Sequence, residues 1–196
     1  MHPSVTQFVA IANRYAAVGL QAAHALNAQQ RTLELDQVLS QSRLQTSDGT
    51  AVSLAAIEQV RALTNVHKAA FERILVSASS ELLSAVAEVP EPLQTEYKNE
   101  VMQSINWQLS AQSAFYEGRL RWASAAARIC ELIESRRNEL CFRGNGIEFQ
   151  NDDDLEEFNS LLAIIEEVHQ AEVAALQERA SRFAASTALL AAAQRA

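Results

Sequence analysis

Residues 57–89 run IEQVRALTNVHKAAFERILVSASSELLSAVAEV. Apolar or small residues return there at three- and four-residue steps: Ile57, Val60, Thr64, His67, Phe71, Ile74, Ala78, Leu82, Ala85 and Val89. That is the period of a helix with one face toward a core, and neither glycine nor proline interrupts it. Working outward, Val-Pro-Glu-Pro (89–92) stops this helix and can start another, because proline is tolerated in a first turn. On the other side, Thr-Ser-Asp-Gly-Thr (46–50) combines turn and cap residues.

These breaks leave four segments, near 4–46, 51–89, 92–140 and 152–194, each around forty residues. Helices of that length run to roughly 60 Å. The first stripe is Phe8, Ile11, Tyr15, Val18, Ala22, Leu26 and Leu33, with a polar interruption at 27–32 (NAQQRT) that marks a break or a polar layer. The third is Tyr97, Val101, Ile105, Leu109, Phe115, Trp122, Ala126, Ile129 and Ile133. The fourth is Leu155, Phe158, Leu162, Ile165, His169, Val173, Leu176, Ala180, Phe183 and Leu190. Short connections between long helices favour antiparallel neighbours. The expected fold is all-α, a single domain over 1–196 built as an antiparallel four-helix bundle.

Composition agrees. The 196 residues include only 5 Gly and 3 Pro, and hydrophobic residues make up 48%. Net charge is −8, and residues 142–196, with four Arg against ten Asp/Glu, hold −6 of it. Lysine occurs only at 68 and 98, so a basic track along a nucleic-acid backbone is not expected. Arg119, Arg121, Arg128, Arg136 and Arg137 alternate with Glu117, Glu131, Glu134 and Glu139, the pattern of a solvated face laced with ion pairs. No apolar run reaches membrane-spanning length, and the N-terminus lacks a secretory pattern. The expected location is cytoplasmic. Cys130 and Cys141 are expected on one helix, about three turns and roughly 16 Å apart, as reduced and buried thiols.

The exception to helix is CFRGNGIEFQNDDD (141–154). It lacks the third glycine of a dinucleotide fingerprint and the Gly-Lys-Ser/Thr of a P-loop. Three consecutive aspartates point in different directions and make a poor cation cage. Phe142 and Arg143 on one side, and Ile147, Glu148 and Phe149 on the other, alternate apolar with polar, and Asn145-Gly146 is a hairpin signal. Asp152–Asp154 then open the last helix, with Asp153 and Glu156 at capping-box spacing.

Reactive groups are sparse. Glu166 and His169 form Glu-x-x-His, half of a carboxylate-bridged di-metal site. Gln21 and Thr64 stand where a second such motif, with His24 or His67, would need glutamate, and His2 is terminal. His67 falls on the apolar stripe as a packed, hydrogen-bonded histidine. Trp107, Trp122, Phe115 and Tyr116 are aromatic core, with a pocket lining as the other reading. No catalytic residue, cofactor site or metal site is expected.

Two stretches, AVGLQAAHALNAQQRTLELDQVLSQSR (17–43) and NVHKAAFERILVSASSELLSAVAEV (65–89), resemble the Ala/Gln/Leu/Glu-rich helices of bacterial phasins. The resemblance covers about a quarter of the chain and implies a non-enzymatic, often oligomeric coat on polyhydroxyalkanoate granules. The hairpin, the acidic cap and the tryptophans lie outside that pattern. The expected partners are a hydrophobic granule or lipid surface, or protein partners and self-association. The alternative to a coat is a scaffold or adaptor, for example in a secretion or toxin-related system, with a ferritin-like metal site as a distant third.

Overall fold

A computed structural model describes residues 3–144 and 146–193, with side chains over 6–144 and 146–181. The chain is mainly helical and divides into two compact units, Met1–Tyr116 and Glu117–Ala196. The helices are α1 (Pro3–Arg31), α2 (Gln41–Leu44), α3 (Ser47–Ala87), α4 (Leu93–Ser135) and α5 (Asp152–Ala193). Two strands, β1 (Leu140–Arg143) and β2 (Gly146–Phe149), pair antiparallel.

Sequence periodicity predicts four rods; the described residues form five α-helices and a strand pair, and the difference lies mostly in the first segment. α1 stops at Arg31, at the end of the polar interruption, where the Thr32 hydroxyl donates to the Gln29 carbonyl at 2.7 Å. Glu34 then turns the chain in the left-handed region, φ 48. A 3-10 turn (Leu35–Gln37) and the single-turn α2 carry it to α3. Buried Val38 and Leu44 anchor this connector, and the Ser53 hydroxyl of α3 donates to the Val38 carbonyl at 2.7 Å. Thr46 caps α3 by accepting the Gly49 N–H at 3.0 Å, so 47–50 is the first helical turn.

In the first unit α1 and α3 run antiparallel: Arg14 and Tyr15 bond Glu81, while the Ala22 carbonyl faces His67. The Phe8 and Tyr97 rings stack at 5.4 Å, joining α1 to α4, and His67 Nδ1 lies 2.9 Å from the Tyr116 hydroxyl, joining α3 to α4. Every residue of the 57–89 stripe is buried or half-buried. Val18 and Leu109, from the first and third stripes, are exposed.

In the second unit α4 and α5 are antiparallel, held by Arg119–Glu172 (2.9 Å), Arg121–Glu167 (2.7 Å), Arg128–Glu157 (2.6 Å) and Arg136–Asp154 (2.8 Å). The arginines thus reach mainly across to α5, while Arg137–Glu134 and the longer Arg128–Glu131 contact follow the same-segment alternation. α4 ends at Ser135, so Cys141 lies on β1 rather than on its helix. Cys130 is buried and Cys141 exposed, which corrects the expectation of two buried thiols.

The hairpin forms one residue away from the Asn-Gly reading. Arg143 pairs with Gly146, which places Gly146 on β2 rather than in the turn, and Gly144 is at φ 56; Asn145 lies outside the described residues. This register pairs Leu140 with Phe149 and Phe142 with Ile147, setting all four apolar side chains on one face. Phe149 packs on Phe158 of α5, centroids 5.2 Å apart. The α5 cap is also shifted: Asn151 Oδ1 accepts the Asp153 N–H at 2.8 Å. The three aspartates occupy the first turn, where the helix dipole favours them, and Asp154 is buried against Arg136.

Candidate functional site

The first unit contains a cavity of about 600 Å³ between α1, α3 and α4. Small residues create it. On α1, Ala12, Ala16 and Gly19 follow one another at helical spacing, and a Cβ at Gly19 would meet nothing within 4 Å. Phe8, Tyr15 and Leu20 stand around that strip. The α3 wall is Phe71, Ile74, Leu75, Ala78 and Leu82, with His67 at one end. The α4 wall carries Val101 and Ile105 beside a polar ladder, Glu100, Ser104, Gln108 and Gln112, spaced by four. The groove is apolar on two sides and hydrogen-bonding along the third, at a size ordinary for small-molecule sites.

Its margins are fixed by polar contacts. The Tyr15 hydroxyl donates to Glu81 at 2.5 Å, and Arg14 pairs with the same carboxylate while its guanidinium stands 4.9 Å from the Tyr15 ring centre. The bond to Glu81 raises the Tyr15 pKa; the bonds from Tyr15 and then Arg14 lower that of Glu81. Burial pushes the His67 imidazole below its ordinary 6.5, with the Ala22 carbonyl working the other way.

The residues singled out from the sequence do not gather here, His67 excepted. His169 and Glu166 are both exposed on α5, and Glu166 accepts a bond from Gln170 at 2.8 Å. Among the described residues no group of three or more His, Cys, Asp or Glu is placed to hold a metal ion. Burial raises the Cys130 thiol to about 11, which leaves it a poor nucleophile near neutrality. Trp107, Trp122 and Phe115 are half-buried and Tyr116 is buried, but none lines the groove. Its aromatic residues are Phe8, Tyr15 and Phe71, already present in the helical stripes. The ladder at 100, 104, 108 and 112 lies outside the apolar stripes, although its four-residue spacing beside Val101 and Ile105 is plain in the sequence.

The fourth stripe needs the largest correction. Asp154, Phe158, Leu161, Ile165, Val168 and Glu172 form the buried or half-buried side of α5, whereas Leu155, Leu162, His169, Val173, Leu176 and Ala180 are exposed. Phe183 and Leu190 lie outside the described side chains. No described helix is long and apolar enough to cross a membrane. Comparison of the chain with models of protein families, with curated proteins and with solved structures gives no match.

Proposed function

We propose that this protein is a non-enzymatic, cytoplasmic coat protein that adsorbs to hydrophobic surfaces through its first unit, in the manner of a phasin on a polyester storage granule. The observation that carries this reading is the groove: an apolar trough with a row of hydroxyl, amide and carboxyl groups along one wall. A polyester alternates hydrocarbon with ester carbonyls. Its hydrocarbon suits Phe71, Ile74 and Ile105, and its carbonyls can accept bonds from Ser104, Gln108 and Gln112. Leu20, on the groove margin and 60% exposed, is the natural first contact. Moving such area out of water is favourable by roughly 25 cal/mol per Å². An interfacial helix binds in the same way, with its apolar face in the surface and its polar face in water.

Co-sedimentation with poly(3-hydroxybutyrate) nanoparticles tests the reading. The wild type should pellet with the particles, and Leu20→Glu should reduce the bound fraction several-fold while keeping its helical circular dichroism. Val76→Glu, an equally exposed change on α3 away from the groove, should bind as the wild type does. A wild type that stays in the supernatant contradicts the reading. The second reading, a scaffold or adaptor, draws on the apolar residues left exposed along α5.

A further inference from the structure

We propose that the groove of the first unit is a binding site for a single-chain cationic amphiphile, with the ammonium head at Glu100 and the hydrocarbon tail running toward His67. The inference concerns a ligand free in solution and stands apart from adsorption to a polyester surface.

The two ends of the groove differ. Tyr97 stacks on Phe8, and Glu100 follows Tyr97 by one helical turn, so Glu100 stands at the Phe8 end. His67 and Gln112 mark the other end; from position 100 to position 112, α4 rises roughly 18 Å. Among the described residues that line the groove, Glu100 carries the formal charge near neutrality. No Lys or Arg is among them, and burial holds the His67 imidazole below its ordinary 6.5.

The cations nearby do not answer Glu100. Arg14 is bound to Glu81 across the α1–α3 margin. One turn away on α4 stand Glu96, Tyr97, Gln103 and Ser104, none of them basic. Lys98, two residues before Glu100, projects from a different face of the helix. Glu100 itself is exposed, at the rim. A head group placed there keeps water on one side while meeting a carboxylate on the other. Phe8 at the same end adds an aromatic ring, whose face attracts an ammonium.

The tail has room behind the head. Along α1 the strip Ala12, Ala16 and Gly19 leaves space beside Phe71, Ile74 and Leu75, and that space runs on toward the uncharged end. An extended dodecyl chain fits within it. An anionic amphiphile meets no lining cation and is repelled at Glu100, and an uncharged one leaves Glu100 unused. Charge therefore selects both the sign of the head and the end at which it sits.

Calorimetric titration of the full chain tests this with dodecyltrimethylammonium, dodecyl maltoside and dodecyl sulfate, each below its micelle concentration. The cationic probe should bind at one site roughly fivefold tighter than the maltoside, the scale of a charge contact at an exposed rim, with the sulfate weakest. Glu100→Gln should bring the cationic probe down to the level of the maltoside. Glu139→Gln, which removes the same charge from the second unit, should change neither. The chain carries a net charge of −8, which attracts cations without any site, so a charge-neutral variant is needed as well. Gly19→Phe supplies it: a Cβ there meets nothing within 4 Å, and the ring beyond it fills the groove. It should abolish one-site binding of the cationic probe while keeping its helical circular dichroism. Absence of one-site binding by the wild type, equal affinity for the three probes, a preference that survives Glu100→Gln, or binding that survives Gly19→Phe would each overturn the proposal.

Discussion

His67 shows how burial becomes a pH response. Its imidazole is held below the ordinary 6.5 by desolvation, so the unfolded chain takes up the proton more readily than the folded one. The stabilising contribution is complete above about pH 6.5 and is lost as pH falls through the depressed folded value. Urea denaturation between pH 7.5 and 5 should show wild-type stability falling more steeply than that of His67→Gln; parallel curves would refute the burial account. At Gly49 two effects oppose each other. Alanine there gains up to about 1 kcal/mol in helix propensity. Its Cβ would, however, lie 2.2 Å from the Arg43 carbonyl oxygen, a backbone atom that the buried connector holds in place. Overpacking of this kind costs typically 1–3 kcal/mol, so Gly49→Ala should be destabilising by denaturant titration. An unchanged or raised midpoint would mean that the connector yields.

Among the elements, α3 is the most legible: its stripe and proline stop agree with an end at Ala87, close to the expected 89, although the Thr46 cap starts the helix at Ser47, four residues before the expected 51. The hairpin and the α5 cap were legible in kind but each was displaced slightly. The hairpin register follows from collecting Leu140, Phe142, Ile147 and Phe149 on one face, a condition that a dipeptide turn signal does not carry. The three aspartates mask Asn151 as the cap in the sequence, whereas its Oδ1 accepts the Asp153 N–H in the structure. Asn151→Ala should cost about 1 kcal/mol and Asp153→Ala less than half of that, measured by thermal or urea unfolding. The reverse order would return the cap to Asp153. α5 was misread for a physical reason. Its apolar band is wide, and its packed side carries Asp154, Glu157 and Glu172, which look like surface residues until their arginine partners on α4 are known. The basic stripe of α4 and the acidic stripe of α5 were both visible, and an antiparallel pairing would have matched them. Pairs of this kind set register more than stability, at about 0–1 kcal/mol each where exposed.

At the scale of the molecule, the two units offer different unsatisfied surfaces. The first has a trough walled by three helices, created where small α1 residues hold back from Phe71, Ile74 and Ile105. Sequence periodicity gives Phe8, Tyr15, Phe71, Ile74, Val101 and Ile105 as core, since a stripe states which side chains face inward and not whether they fill the space. The second leaves Leu155, Leu162, Val173 and Leu176 exposed beside its packed face. A coat function depends above all on adsorption through the groove. A polarity-sensitive dye on Leu20→Cys, in the Cys141→Ser background, reports it directly when poly(3-hydroxybutyrate) nanoparticles are added, with Val76→Cys as the off-groove control. The account predicts a blue shift at position 20 and none at position 76. A silent probe at 20, or a shift confined to 76, would contradict it.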